Sequence, residues 1–300
     1  MLVEWRMEKT DENATILLRQ PLRQAACVVL TSPHSGRCYA PAFLAASRLD
    51  ANAIRRSEDS FVDELFAAGP ELGLPLLAAR FPRAFCDANR EPWELDPAMF
   101  EDPLPDYVNH KSPRVQAGLG TVARIVGTGE PIYARKLKFA EARARIEACW
   151  QPFHAALEGM IQQTLARFGT CLVVDCHSMP SQPCRPLRRA DIVLGDGYGT
   201  SCGAAWVDFI HAFLAGMGLN VHRNEPYAGG YITRHYGRPH AGVEVVQLEI
   251  SRGLYMNERI FTRNEQFDTT RAQMTRLLEA MSAAGRGWGA QRTELPAAAE

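Results

Sequence analysis

The 300-residue sequence predicts an α/β fold, and three features lead to that prediction. Short runs of β-branched and apolar residues, typical of buried strands, occur at 25–31, 172–174 and 243–250. The longest helical pattern covers 138–168, between two of these runs. Neither an internal repeat nor a linker divides the chain, so we expect one catalytic domain over 1–284 and a disordered Gly/Ala/Pro tail over 285–300.

The composition excludes several classes of partner. The formal net charge is −1, whereas nucleic acids and membrane surfaces require a concentrated basic surface. No apolar run reaches the roughly 18 residues of a membrane span, and 1–10 lacks a signal-type apolar core. The 8 cysteines form no CxxC pair, which favours a reducing, cytoplasmic location. The sequence favours no particular oligomeric state.

Two predicted strands end in a His-Ser pair. The first runs into Ser32-Pro33-His34-Ser35-Gly36, and the second into Asp175-Cys176-His177-Ser178. Ligands of open α/β sheets collect at the carboxyl ends of strands, so either histidine could meet a substrate or a metal there. A single histidine at the end of a strand is a core residue about as often as it is a functional one. The repetition favours a shared site for His34 and His177.

An acidic segment, Ser57-Glu58-Asp59-Ser60, lies between a predicted helix at 45–56 and an amphipathic run at 61–72. One interpretation makes Ser57, Asp59 or Ser60 a helix N-cap. The other makes one of the acids the third ligand of a metal, because two imidazoles and a carboxylate compose hydrolytic zinc sites. Spacing alone does not decide between them.

Three further segments concentrate polar side chains. The segment 81–93 carries Arg83, Asp87, Asn89 and Arg90, and we expect it to be a solvated loop or, since apolar residues bracket it, an anchored carboxylate grip. A Pro-rich irregular loop covers 96–113, and a basic loop with Arg185, Arg188 and Arg189 covers 179–189. The remaining predicted elements are short strands at 74–79 and 191–194 and helices at 201–216 and 261–283.

Two later stretches carry further candidates. Gly229-Gly230 precedes a strand-like alternation, in which Tyr231, Thr233 and Arg234 could line a carboxylate pocket. Glu249 lies within the apolar run 243–250. Burial would raise its pKa and suit it to proton transfer, unless it occupies the solvent side of an edge strand. His154, on the long helix, we expect in the core or at the surface.

Taken in order, these motifs resemble the N-formylglutamate amidohydrolase family and, more distantly, the zinc carboxypeptidases and aspartoacylases. The resemblance covers about 25–260. Besides the two His-Ser turns and the acidic segment, it rests on 83–90, on Gly229-Gly230-Tyr231-Ile232-Thr233-Arg234 and on Val246-Gln247-Leu248-Glu249. It implies a single-domain, three-layer αβα fold with a mixed central sheet like that of the zinc carboxypeptidases. It also implies a zinc-dependent hydrolase that acts on a linear amide.

The resemblance also implies roles for single residues. His34, Asp59 and His177 would bind one Zn²⁺, with Glu58 as the alternative acid, because position 37 is Arg where the carboxypeptidase HxxE pattern has its acid. Glu249 would be the general base, and Arg83 would stabilise the oxyanion. The substrate carboxylates would bind Asn89, Arg90 and Arg234, in a pocket lined also by Tyr231 and Thr233.

The predicted substrate is a small acidic N-acyl amino acid, namely N-formyl-L-glutamate as in bacterial histidine degradation, or a relative of it. A carboxypeptidase-like peptidase or another N-acyl amino acid deacylase is the alternative within this class. Outside it stand a cysteine hydrolase that uses Cys86 or Cys176 and a noncatalytic protein that binds small acids.

Overall fold

A mixed seven-stranded sheet forms the centre of the molecule. The computed structural model describes residues 14–181 and 190–288. The strands of the sheet are β1 Ile16–Arg19, β2 Val28–Ser32, β3 Leu76–Ala79, β4 Cys171–Met179, β5 Ile192–Gly195, β6 Val221–Arg223 and β7 Val243–Ser251. In space they follow the order β1-β3-β2-β4-β7-β5-β6. The central strands β3, β2, β4 and β7 are parallel to one another, whereas β1 is antiparallel to β3 and β5 is antiparallel to β7.

Eight α-helices accompany the sheet in the described part of the chain. A π-helical turn, Ile146–Trp150, joins the fourth helix to the fifth. A small hairpin of β8 (Met256–Asn257) and β9 (Thr262–Arg263) precedes the last helix. The helices are α1 Pro41–Ala46, α2 Val62–Leu65, α3 Pro113–Gln116, α4 Phe139–Arg145, α5 Gln151–Phe168, α6 Ala204–Gly216, α7 Tyr231–Tyr236 and α8 Phe267–Gly285.

Each face of the sheet is covered by helices. Val174 and Val246 belong to an apolar cluster that includes side chains of α6 and α8. Their strand neighbours Val173 and Val245 belong to a second cluster with side chains of α5, because successive strand residues point to opposite faces. Every residue of β4 and β7 is buried. This explains why both strands are nearly continuous apolar runs in the sequence.

The predicted strands at 25–31, 74–79, 191–194 and 243–250 are confirmed as β2, β3, β5 and β7 to within a few residues. β7 pairs with β4 on one side and β5 on the other. The alternative that placed Glu249 on an edge strand is therefore wrong. No helix within 14–181 and 190–288 is long and apolar enough to cross a membrane.

Several predicted boundaries are wrong. The helix expected at 45–56 is split into α1 and a 3-10 turn, Ala53–Ser57, because the Asp50 carboxylate accepts the backbone N–H groups of Asn52 and Ala53 in a local turn. The run at 61–72 is also divided, into α2, which ends at Leu65, and a 3-10 turn, Pro70–Leu72, that begins with a proline. The strand expected around His235 is the short helix α7. Residue 285 ends α8, and the expected basic loop and most of the tail lie outside the described residues.

Candidate metal centre and active site

The sheet brings His34 and His177 together. His34 follows the end of β2 by two residues, and His177 lies near the end of the neighbouring strand β4. Their ring centroids are 4.7 Å apart, and both side chains are buried. The turn after β2 packs tightly, since a side chain at Gly36 would overlap the backbone oxygen of Phe81.

Asp59 completes a three-residue cluster. Its Oδ2 atom lies 3.1 Å from Nδ1 of His177 and 3.5 Å from Nδ1 of His34. The three residues offer ligand atoms that all lie within 4.8 Å of one another. The alternative acid, Glu58, is instead engaged by Arg55, Tyr39 and Ser60.

The N-cap interpretation of the acidic segment is wrong. The residue before α2 is Phe61, in the left-handed region at φ 66°, and no side chain caps this helix. Asp59 donates its backbone N–H to the carbonyl of His34 at 3.0 Å instead. The segment is thus held against the first His-Ser turn.

The outer nitrogen of each imidazole faces a second carboxylate. Nε2 of His34 donates to Asp87 at 2.7 Å, and Nε2 of His177 lies 2.9 Å from Asp175. With the proton on Nε2, each Nδ1 presents a lone pair toward Asp59. Nδ1 of His34 is buried and makes no hydrogen bond with a described residue, because its 3.5 Å approach to Asp59 places two acceptors face to face. Two lone pairs and a carboxylate oxygen are the ligand set of a divalent metal, so the residues fit such an ion.

The charges around the cluster favour a cation. Burial alone would lower the pKa of His177, but the neighbouring carboxylates of Asp175 and Asp59 raise this pKa well above its ordinary value. Burial would likewise raise the pKa of Asp59, yet the neighbouring His177, His34 and Arg252 hold it well below its usual range. The cluster thus concentrates ionised carboxylates around buried imidazoles.

Arg252 and Ser178 hold the other oxygen of Asp59, a feature that the sequence did not reveal. Oδ1 of Asp59 accepts from Nη2 of Arg252 at 3.0 Å and from the hydroxyl of Ser178 at 3.2 Å. Nε of Arg252 also donates to that hydroxyl at 3.1 Å. Asp59 therefore presents a single oxygen, Oδ2, to the two imidazoles.

Glu249 lies beside His177, its register partner on β7. Its side chain is buried, and burial raises its pKa to about 7. Nε2 of Gln247, on the same face of the strand, donates to Oε1 of Glu249 at 2.8 Å. A carboxylate that exchanges protons near neutral pH is suited to general base catalysis.

A cavity of about 660 Å³ opens onto this cluster. His34, Asp59, His177 and Glu249 all contribute to its lining. The cavity is rich in cations: six arginines line it against four carboxylates among the described residues. The arginines are Arg56, Arg83, Arg90, Arg114, Arg252 and Arg259.

Comparison with known proteins gives a consistent result. The family model of N-formylglutamate amidohydrolase matches residues 26–256. The chain belongs to the N-formylglutamate amidohydrolase family.

Relatives match nearly the whole chain. A Pseudomonas aeruginosa protein named N-formylglutamate deformylase is 31% identical over 272 residues, which cover 88% of this chain and 94% of that protein. The crystal structure of N-formylglutamate amidohydrolase from Ralstonia eutropha JMP134 superposes with a TM-score of 0.85 at 37% identity, covering 91% of this chain and 99% of that one. A gene product of Agrobacterium tumefaciens, at 22% identity and a TM-score of 0.57, shares the fold alone.

In this member of the N-formylglutamate amidohydrolase family, the candidate residues Arg83, Asn89 and Arg90 line the cavity. Their polar atoms are largely engaged with the protein, however. Arg83 donates to Asp87 at 2.7 Å. Arg90 donates Nε and Nη1 to backbone carbonyls, at 2.9 and 2.7 Å. The segment is therefore an anchored wall of the site rather than a solvated loop.

The side-chain amide of Asn89 connects three parts of the fold. Its Nδ2 donates to Asp175 at 3.2 Å and lies 3.1 Å from Nε2 of His177. Because that nitrogen carries its own proton toward Asp175, we assign the donated hydrogen of Asn89 to Asp175 as well. Oδ1 of Asn89 accepts the backbone N–H of Ile232 at 2.8 Å. A side chain at Gly230 would overlap this amide, which explains the glycine.

The structure does not bring Tyr231, Thr233 and Arg234 into the cavity. All three lie on α7, and none is among the lining residues. Thr233 is fully buried, Arg234 is exposed, and Tyr231 stacks on His235. The preceding Gly229 and Gly230 do line the cavity. This segment therefore contributes the backbone of Gly229 and Gly230 to the cavity lining.

The thiols offered as alternative nucleophiles are inert in this environment. Cys86 and Cys176 are fully buried, and neither lines the cavity. Burial raises the pKa of both thiols well above the ordinary value, which disfavours the reactive thiolate. The geometry therefore gives no support to a cysteine hydrolase. His154 is buried and hydrogen-bonded to the backbone oxygen of Ala88, one of the two placements expected for it.

Proposed function

We propose that this protein hydrolyses N-formyl-L-glutamate to formate and L-glutamate and that the reaction depends on one zinc ion. The cluster of His34, Asp59 and His177 beside the buried Glu249, in a single cation-rich cavity, carries the proposal. Family membership and a relative named N-formylglutamate deformylase supply the substrate. Two imidazoles and one carboxylate match the ligand number of catalytic zinc sites.

His34, Asp59 and His177 would hold the ion. When bound, it supplies Lewis acidity, which lowers the pKa of water toward neutrality and polarises an amide carbonyl. Glu249 accepts the proton of the attacking water and passes it to the nitrogen of the leaving glutamate. Arg83 lines the cavity and binds Asp87, the acid that is hydrogen-bonded to His34, and its guanidinium favours the negative charge that develops on the carbonyl oxygen.

Arg90 is the member of the predicted carboxylate clamp that the cavity best accommodates. Its Nε and Nη1 donate to backbone carbonyls, which fixes the orientation of the guanidinium before substrate binds. The Nη2 group is left to donate to a substrate carboxylate. We assign it to the α-carboxylate. Asn89 contributes by keeping Asp175 and His177 in place. Direct substrate contacts from Tyr231, Thr233 and Arg234 stay predictions, since these side chains lie outside the lining.

The zinc-carboxypeptidase-like architecture also stays a proposal, supported by the mixed sheet and by the cluster at its carboxyl edge. A cytoplasmic location is supported by the free cysteines of the described residues, most of which are buried.

Metal analysis combined with a substrate panel tests the function. The purified protein should contain about one zinc per chain and release formate from N-formyl-L-glutamate, and a chelator should abolish the release. N-acetylglutamate and a dipeptide with C-terminal glutamate test the alternative deacylase and peptidase activities. Tight binding of N-formyl-L-glutamate without turnover by zinc-loaded protein would instead support the noncatalytic alternative.

A further inference from the structure

Three of the cavity-lining arginines, Arg83, Arg90 and Arg114, are connected to one another and form one wall, because Arg83 and Arg90 contact the same carboxylate and Arg114 is linked to Arg90. Leu119 connects two of them. Its backbone N–H donates to the carbonyl of Arg114 at 2.8 Å, and its carbonyl accepts from Nε of Arg90 at 2.9 Å. Leu119 also lines the cavity. The short helix α3, which carries Arg114, is thereby fixed next to the buried guanidinium of Arg90.

This wall has more positive charge than the protein neutralises. Arg83 and Arg90 share one carboxylate, Asp87, at 2.7 and 3.9 Å, and that carboxylate also accepts from His34. Arg114 is exposed, and its side chain makes no hydrogen bond or ion pair with any residue of 14–181 or 190–288. Burial, together with the charges of Arg83 and Arg114, lowers the pKa of Arg90 to about 10. An excess of positive charge on a concave, partly buried surface favours the binding of an anionic ligand.

Arg114 is separated from the metal cluster by more contacts than the other two arginines are. Arg83 and Arg90 both contact Asp87, which binds His34. The exposed Arg114 is linked to Arg90 through Leu119. In N-formyl-L-glutamate the α-carboxylate carbon is bonded to Cα, which carries the scissile nitrogen, whereas the side-chain carboxylate carbon is three bonds beyond Cα. The outermost arginine therefore matches the outer carboxylate.

We propose that Arg114, supported by Arg90, forms a subsite for the side-chain carboxylate of the substrate and selects acidic over neutral acyl amino acids. The proposal rests on the proposed function, since it assumes that the scissile amide lies at the metal cluster. It assigns the selectivity to a residue outside the predicted clamp. A site built for a charged group rejects a neutral isostere because its own charge is then left unpaired.

Binding to a catalytically silent protein tests the subsite. In the Glu249→Gln background, calorimetry would compare N-formyl-L-glutamate with N-formyl-L-glutamine, which has nearly the same shape without the side-chain charge. We expect the parent to bind the glutamate compound about 10- to 100-fold more tightly. Arg114→Gln should remove most of that preference, and Arg114→Lys should retain part of it.

Arg259→Gln is the matched control, since Arg259 is an exposed arginine that lines the same cavity from a different segment, the turn between β8 and β9. It removes the same charge and should leave the preference intact. The proposal is overturned if the preference survives in Arg114→Gln or is lost equally in Arg259→Gln. Turnover of N-formyl-L-glutamate by the protein with Glu249 intact is measured separately. Its absence would contradict the proposed function while the binding preference still decides the role of Arg114.

Discussion

Nε2 of His177 lies 2.9 Å from a carboxylate oxygen of Asp175, two residues earlier on the same strand. The spacing of two places both side chains on one face of β4, so the strand supplies the imidazole together with the acid that orients it. Asp87 does the same for His34 from a separate segment. The candidate metal centre therefore comprises five residues, the three possible ligands and the two acids that orient the imidazoles.

Replacement of the orienting acid should weaken metal binding. Asp175→Asn removes a negative charge and replaces the carboxylate acceptor of Nε2 of His177 with a weaker, neutral amide oxygen, and both changes disfavour a bound cation. We expect zinc affinity to fall about 10- to 100-fold, measured by competition with a chromogenic chelator. Asp208→Asn, on the exposed surface of α6, removes the same charge and should leave affinity unchanged. Equal affinities of parent and Asp175→Asn would contradict an orienting role.

Glu249→Gln should remove catalysis without removing the metal. The amide has similar size but cannot accept a proton from water, so kcat should fall by at least about 10²- to 10⁴-fold at unchanged zinc content. Glu244→Gln is the control, because Glu244 is equally buried on β7 but faces the other side of the sheet. Parental turnover in Glu249→Gln would show that another group is the base.

Gln247 should act on the rate through Glu249. In Gln247→Met the carboxylate loses the hydrogen bond that favours its ionised form, so less of it is available as a base at neutral pH. We expect kcat to fall about tenfold with little change in KM. A raised KM at parental kcat would instead place Gln247 in contact with the substrate.

Removal of the metal should lower stability as well as activity. A ligand that binds only the folded state raises the free energy of unfolding, by about 2.7 kcal/mol at a free concentration 100 times its Kd. Urea unfolding of chelated and zinc-loaded protein should differ by an amount of this order. His34→Gln preserves the hydrogen bond to Asp87 but lacks Nδ1, so its unfolding curve should respond much less to zinc. Superimposable curves for chelated and loaded parent would count against binding at this cluster.

His154 should make the folded state sensitive to acid. Burial lowers the pKa of His154 from 6.5 to about 4, and its Nε2 donates to Ala88 while its Nδ1 contacts the hydroxyl of Tyr236. Between about pH 6.5 and 4 the unfolded chain binds the proton that the folded chain excludes, so stability falls as the pH falls through this window. The shift corresponds to about 3 kcal/mol. His154→Gln has no titrating ring, and its urea midpoints should lose less stability between pH 7 and 4. Parallel pH profiles would refute this assignment.

Much of the candidate site could be predicted because the ends of buried strands can be recognised in the sequence. A buried run followed by His-Ser places an imidazole at a sheet edge, and two such runs paired side by side bring His34 and His177 together. Glu249 could be predicted in a similar way, because it is an acid within an otherwise apolar strand. The choice of Asp59 over Glu58 came only from the family resemblance, since the spacing of two adjacent acids is the same for both.

The remainder depends on contacts that local patterns do not encode. Arg252 reaches Asp59 across 193 positions, and nothing around it distinguishes it from other arginines. The six residues of α7 alternate in polarity like a strand, yet they fold as a helix, at the start of which the Asn89 amide oxygen accepts the N–H of Ile232. The sequence pattern suggested a pocket lined by Tyr231, Thr233 and Arg234, whereas on this helix the three side chains are not among the residues that line the cavity.

The same amide limits how the enzyme can be redesigned. Asn89 holds Asp175 with its nitrogen and α7 with its oxygen, so a replacement there would disturb both the candidate metal centre and the adjoining helix. Gly230 is equally constrained, because the amide occupies the space that a side chain would need. Mutant libraries that aim at new acyl amino acid substrates should therefore keep Asn89 and Gly230 and vary the exposed residues around Arg114 on α3 instead.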